Sequence, residues 1–306
     1  VHHNFSLFHS TFIAHPSGVL PEIIASNLSE TDIVFGGEAA LSRTLTSVAV
    51  PPTRAVFVLS TCIADTIGDD TEAICGQKYQ VPVIHVPTAG FIGGNFQQGV
   101  NNALIALAAL AEPSPQPGSG VNIIGEMNLE DEAEENFAEV HRILSSLGIP
   151  VNARFVRGCT YGKIAALGRA RVNILRDESL VPVGEALYRK FGIPYVDSFP
   201  FGLEGTIGFM QKLAGLYGIP AGSAIQKEEE FQEQVLAGFS DIAGSVIAGN
   251  IPETCDQAAV FAHEVASRLD IKLDRSGRSV PLLVSPPVGT RGIRRLLHRW
   301  RRAIHA

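Results

Sequence analysis

Apolar residues along the chain fall into two kinds of run. Short, unbroken β-rich runs recur at 55–59 (AVFVL), 82–86 (PVIHV), 121–125 (VNIIG), 151–156, 170–175 and 193–196. Between them lie longer stretches with helical spacing, at 38–48, 95–110, 129–147, 160–167, 181–191 and 204–217. Short apolar runs of this kind predict strands buried on both faces. Their alternation with helices through short links predicts an α/β fold with parallel sheets and right-handed crossovers. Residues 33–35 (IVF) predict one more short strand. Asn95, and either Asp69 or Asp70, are placed to cap helices. Further on, 226–248 reads as one long helix with a charged start, 254–269 as an amphipathic helix and 280–284 as a strand. Residues 291–304 read as a basic helix with Ile293, Leu296, Leu297 and Trp300 on one side. That stripe is expected to dock on the chain's own fold, the alternatives being an acidic partner surface and, behind it, a membrane or nucleic acid.

Composition changes the picture in three places. The stretch AEPSPQPGSG at 111–120 is a linker by content and the best boundary in the chain. A net charge of −7 over 306 residues argues against nucleic acid as the principal partner. Arg291, Arg294, Arg295, Arg299, Arg301 and Arg302 nevertheless crowd the end of the chain. The cysteines are Cys62, Cys75, Cys159 and Cys255, too scattered for a disulfide framework, so the thiols are expected reduced and the protein cytoplasmic. No apolar run reaches the roughly 18 residues of a membrane span, and no signal peptide is visible. The chain starts at Val1 rather than Met, which reads as a fragment or a processed start.

Candidate chemistry gathers at strand ends. Cys62 follows the 55–59 strand, and open α/β sheets bind ligands beyond the carboxyl ends of their strands. The loop 88–94 (TAGFIGG) follows the 82–86 strand and should lie beside the Cys62 turn. Its Gly90, Gly93 and Gly94 either let the loop turn or let a cofactor or partner approach the backbone closely. Gly36 and Gly37 before the 38–48 helix either form a tight turn or offer amides to an anion. They are not a GxGxxG fingerprint. His2, His3, His9 and His15 are loosely clustered and lack the spacing of a metal site.

These segments carry a resemblance. VFGGE at 34–38, STC followed by IGDD at 60–70, PVIHVPTAGFIGG at 82–94 and IIGEMN at 123–128 are similar to nitrogenase component 1-type proteins. That superfamily includes the molybdenum–iron protein subunits, the cofactor-assembly scaffold pair, dark-operative protochlorophyllide reductase and nickel-sirohydrochlorin diamide reductive cyclase. The resemblance runs from residue 33 to about 218.

The resemblance implies tandem Rossmann-like three-layer α/β domains. The first would be residues 1–112, without its N-terminal part, followed by a linker at 113–120. The second would be 121–222, and 223–306 would be a reduced, helical third-domain remnant with the basic helix. The resemblance also implies a [4Fe–4S]-type iron–sulfur cluster shared at the interface with a second component 1-type subunit, identical or paralogous. It implies Cys62 as one ligand, and an ATP-dependent iron protein as electron donor.

Thiolate suits such clusters. Cys75 reads as a packing residue, and so does Cys255. Cys159 precedes a helix, where a thiolate is stabilised, and reads as packing with ligation the alternative. No cysteine precedes Cys62, so further ligands are expected from a partner or from sequence before Val1. The stretch 173–177 (NILRD) also lacks the second-domain cysteine of subunits that hold the large nitrogenase cofactor. The expected function is a nitrogenase-like oxidoreductase subunit acting on a small molecule or tetrapyrrole. The alternatives are a cofactor-assembly scaffold and a degenerate subunit without a competent cluster.

Overall fold

Ser29 begins a capping box that sets the first helix in the computed structural model, which describes residues 22–88, 90, 93–116, 118–126, 132–249, 256–280 and 286–306. The Ser29 hydroxyl accepts from the Asp32 amide, and the Asp32 carboxylate accepts from the Ser29 amide at 2.8 Å. The result is helix α1 (Glu30–Phe35), where the apolar run at 33–35 predicts a strand. The reciprocal cap and the acidic first turn outweigh three β-favouring residues. Among the described residues they pair with no strand, and Val34 and Phe35 stand 73% and 84% exposed. Gly36, at φ 105, ends α1, and α2 (Glu38–Val48) follows as the spacing predicts.

β1 (Val56–Leu59) and β2 (Val83–Val86) pair in parallel, with Val56 opposite Val83 and Leu59 opposite Val86. Burial on both faces is not what forms: Val56 to Val58 are half-buried and Leu59 is 61% exposed. Among the described residues this sheet has only two strands, so neither strand is flanked on both sides. Between the strands lie α3 (Cys62–Ile67) and α4 (Thr71–Cys75). The Asn95 side chain accepts from the Gln98 amide and starts α5 (Phe96–Ala108), as predicted.

The linker is laid against the 160–170 segment. The Glu112 amide donates to Ala165 O at 3.0 Å and the Gly118 amide to Arg169 O at 2.8 Å. A four-stranded parallel sheet comes next, in the order β4-β3-β5-β6, made of β3 (Val121–Glu126), β4 (Val151–Val156), β5 (Val172–Leu175) and β6 (Tyr195–Val196). Its helices are α6 (Ala133–Ser146), α7 (Tyr161–Ala165), α8 (Val181–Phe191) and α9 (Glu204–Tyr217). Successive strand residues face opposite layers. Ile123 packs with Val140, Ile143, Phe209 and Leu213, whereas Ile124 packs with Phe155, Val183, Leu187 and Leu104 of α5. The three-layer sandwich therefore borrows α5 from the segment before the linker.

The C-terminal part departs from its prediction. The single helix expected at 226–248 is α10 (Gly222–Ala237), a 3₁₀ turn at Ser240–Ile242 and strand β7 (Val246–Gly249). Gly238 caps α10, Gly244 turns the chain at φ 74, and the VIA run then finds a parallel partner on each side. After α11 (Asp256–Arg268), β8 (Lys272–Leu273) and β9 (Arg278–Val280) complete the order β8-β7-β9. The expected 280–284 strand is described only at Val280, which closes β9; 281–284 lie outside the described residues. The segment after 222 thus holds a three-stranded parallel sheet, of which β7 lies where a helix is predicted.

The basic helix is α12 (Gly289–His305), and its stripe docks at home: Ile293, Leu297 and Trp300 are fully buried. Its arginines also find partners in the chain. Arg295 pairs with Glu132 at 2.8 Å, Arg299 with the same carboxylate, and Arg301 with Asp241 at 2.5 Å. Among the described residues no helix is long and apolar enough to cross a membrane.

Candidate functional site

The two sequence motifs at the carboxyl edge of β1 and β2 are tied together. The Ser60 amide donates to Val86 O at 3.3 Å, and the Thr88 hydroxyl donates to Ser60 O at 2.6 Å. The start of the glycine-rich loop therefore lies beside the Cys62 turn, as expected. Thr61 is extended (φ −100, ψ 161) and caps α3, which makes Cys62 its first helical residue. The Cys62 thiol is free and half-buried. The Thr66 hydroxyl donates to Cys62 O at 2.5 Å.

A second tie fixes the far end of that segment. Gly68, at φ 83, turns the chain out of α3, and Asp69 reaches back to the turn before α2. The buried Gly37 amide donates to Asp69 Oδ1 at 2.8 Å and Oδ2 at 3.0 Å. The Asp70 amide donates to Glu38 Oε1 at 3.0 Å, and Asp70 Oδ1 accepts from the Ala73 amide to cap α4. GGE and GDD therefore interlock. Of the two acids placed for capping, Asp70 takes the cap and Asp69 takes the glycine turn. The anion that the Gly36-Gly37 turn meets is this chain's own carboxylate, so the Gly37 amide is not on offer to a cofactor. Space is tight there: a Cβ on Gly37 would stand 2.5 Å from Leu28 Cδ2 and 2.8 Å from Asp69 Oδ2, so those two side-chain ends would have to shift.

Gly90, Gly93 and Gly94 are described, while Ala89, Phe91 and Ile92 beside them are not. Gly93 has φ 100, and a Cβ on Gly90 or Gly93 would meet open space. His2, His3, His9, His15 and Cys255 lie outside the described residues.

Of the other described cysteines, Cys75 is buried and Cys159 half-buried. Burial, with Glu72 adding to it, pushes the Cys75 thiol up to about 11. Burial pushes the Cys159 thiol up to about 11 against the opposing Lys163 charge, and its Sγ donates to Arg154 O at 3.0 Å.

A four-iron cluster takes about four thiolates. Among the described residues no group of three or more His, Cys, Asp or Glu side chains is gathered to hold a metal ion. The described chain therefore fits one corner of a cluster and not a whole one. Two further polar atoms belong to this edge, and sequence reasoning missed both. Ser60 Oγ, on a residue 5% exposed, and His85 Nε2 of β2 are buried without a hydrogen-bond partner among the described residues. Buried polar atoms are normally satisfied, so a covering group fits here. The clue was their position: Ser60 stands one residue past β1, and His85 pairs opposite Val58.

A family-wide profile described as nitrogenase component 1 type oxidoreductase matches residues 5–248. The chain belongs to the nitrogenase component 1 type oxidoreductase family. It is 33% identical over 201 residues to the nitrogenase iron-molybdenum cofactor biosynthesis protein NifE of Clostridium pasteurianum, covering 63% of this chain and 43% of that protein. It is 28% identical over 223 residues to the nitrogenase molybdenum-iron protein alpha chain of Methanococcus maripaludis, covering 69% of this chain and 46% of that one. This nitrogenase component 1-type chain spans less than half the length of the curated relatives it matches. Its fold superposes on the solved structure of "Nitrogenase Cp1 at pH 5" with a TM-score of 0.63 at 20% identity, covering 87% of this chain and 55% of that one.

Proposed function

We propose that this chain is a nitrogenase-like oxidoreductase subunit that holds one corner of an interfacial [4Fe–4S]-type cluster through Cys62. In this reading an ATP-dependent iron protein delivers electrons, and the subunit passes them to a small-molecule or tetrapyrrole-type substrate in the cytoplasm. The observation that carries it is Cys62 itself. It is a half-buried thiol at the carboxyl end of β1, on a backbone tied at Ser60 and at Asp69. When bound, an iron–sulfur cluster supplies one-electron transfer at low potential. The chain's own work is to hold Cys62 in place and to leave the open space over Gly90 and Gly93 for a covering surface. The remaining ligands come from a second component 1-type subunit, identical or paralogous, or from sequence before Val1.

A second reading is a scaffold on which a metallocofactor is assembled and handed on. It is favoured by the relatives named as cofactor biosynthesis proteins, at 33% and 30% identity against 28% for the alpha chain. Stopped-flow spectroscopy of the anaerobic complex with its iron protein separates the two readings. Oxidoreductase function requires multiple-turnover oxidation of the iron protein that depends on ATP and on substrate. A single stoichiometric transfer of iron and sulfide to an acceptor protein, without turnover, makes it a scaffold.

A further inference from the structure

We infer that the crevice between the amino ends of β1 and β2 and the start of α7 binds a small aromatic anion, with Arg54 meeting the charge and Tyr161 the ring. The crevice lies at the opposite end of β1 from Cys62, so it is a second site, apart from the proposed cluster edge.

Its volume is about 410 Å³, within the range of small-molecule sites. Pro51, Pro52, Arg54, Val81, Pro82 and Tyr161 line it. Backbone hydrogen bonds set the walls. The Thr53 amide donates to Val50 O at 3.1 Å, which turns the chain over Pro51 and Pro52. The Val56 amide donates to Pro82 O at 2.9 Å, which holds the 80–82 loop against the start of β1. Across the crevice, Thr160 Oγ1 accepts from the Lys163 amide at 3.4 Å, and Tyr161 follows as the first residue of α7. Proline has a fixed φ and no N–H. A wall of Pro51, Pro52 and Pro82 therefore presents flat apolar rings and loses little freedom when a ligand settles on it.

Arg54 supplies the charge. Its guanidinium carbon lies 5.8 Å from the centroid of the Tyr161 ring. The ring attracts the cation without consuming the N–H fork that matches a carboxylate or phosphate. Among the described residues Arg54 pairs with no carboxylate. Tyr161 is 39% exposed, so its ring is open to a ligand as well as to the guanidinium. A bare inorganic anion would leave the prolines and the ring unused, and a neutral ring would leave the fork unused. A planar aromatic body carrying a negative group uses both. In a chain of net charge −7 the overall field does not favour an anion, so binding depends on this local cation. The two walls belong to different sheets' connections, so the ligand would bridge the loops of the first sheet to α7 of the second.

The test is saturation-transfer NMR on the full chain, with 2-naphthoate as probe, 2-naphthamide as its neutral counterpart and acetate as an anion without the ring. Naphthoate is expected to bind, and the other two to bind about tenfold more weakly or less. Arg54→Gln is expected to weaken naphthoate about tenfold, the loss typical of a hydrogen bond to a charged group. Arg54→Lys keeps the charge without the fork and is expected to fall between the two. Tyr161→Leu should weaken naphthoate while leaving Arg54 in place, which keeps the test open if the arginine variants fail to fold. Hydrogen exchange locates the site: naphthoate should slow peptides covering 50–56 and 158–165 together. No binding of naphthoate overturns the proposal, as does folded Arg54→Gln that binds it like wild type. Naphthamide binding as tightly as naphthoate overturns the anion, and acetate displacing naphthoate at equal concentration overturns the aromatic body. Slowing confined to other peptides overturns the location. Cys62→Ala should bind naphthoate like wild type, so failure of the cluster reading and failure of this one are separate results.

Discussion

Replacing Asp69 by alanine should loosen the segment that carries Cys62 without touching Cys62. One buried amide, Gly37 N–H, donates to both Asp69 oxygens, at 2.8 and 3.0 Å. That is one charge-assisted bond, worth about 1.5–3 kcal/mol. Because Gly37 is buried, its orphaned donor keeps most of that cost, so about 2 kcal/mol is expected, a factor of roughly 30 in local opening. Neighbouring changes scale differently. Asp70→Ala removes the α4 cap and should cost about 1 kcal/mol. Glu38→Ala removes an exposed bond and should cost about 0.5 kcal/mol. Gly37→Ala keeps an ordinary φ of −96 but drives a Cβ against Leu28 and Asp69, for about 1–3 kcal/mol of overpacking. Since Asp69→Ala removes one of the two clashing atoms, the double variant should cost less than the sum. Hydrogen-exchange mass spectrometry reads this directly. Peptides covering 34–40 and 62–70 should exchange faster in Asp69→Ala, and peptides from β3 and β5 should not. Unchanged exchange in both Asp69 peptides would refute the interlock.

The remaining predictions use other parts of the chain. Glu134 is held below its usual range by hydrogen bonds and charge from Arg154 and Arg157. A lowered folded value means stability present above the unfolded pKa of 4.5 and lost as pH falls through the folded value. Glu134→Gln should therefore flatten the melting temperature against pH below that point. Cys75 and Cys159 are raised from 9.0 to about 11, so the folded chain holds those protons longer than the unfolded one. Stability should fall as pH rises from 9 toward 11, less steeply in Cys159→Ala, read by thermal melts at pH 8 and 10.5. Leu297→Ala in α12 should cost about 2–5 kcal/mol by urea denaturation, because the side chain is fully buried. Arg294→Ala on the same helix should fall within about 0.5 kcal/mol if it behaves as a surface change.

Much of the scaffold was legible because its signals are local. The helices at 181–191 and 204–217, the Asn95 cap and the β1 strand each rest on residues within one or two turns of one another. Misreadings arose where a local rule competed with another or with tertiary partners. Residues 33–35 look like a strand, but Ser29 and Asp32 start a helix first. Residues 226–248 have helical composition, but Gly244 and the partners of β7 divide them. At the candidate site, Cys62 and the glycine loop were legible from their place at strand ends. The Asp69–Gly37 tie was not, because the two residues are 32 positions apart and neither names the other. Ser60 and His85 were passed over for a similar reason. A serine or histidine in a strand-end run is ordinary until its burial without a partner is seen.

Iron and acid-labile sulfide per chain, with electron paramagnetic resonance, test the central claim most directly. The comparison is anaerobic wild type, Cys62→Ala and Cys159→Ala, each assembled with its component 1-type partner. Cys62 as a cluster ligand predicts that wild type and Cys159→Ala hold equal iron, equal sulfide and the same signal, and that Cys62→Ala loses or alters all three. A Cys62→Ala complex with the wild-type iron content and spectrum would contradict it.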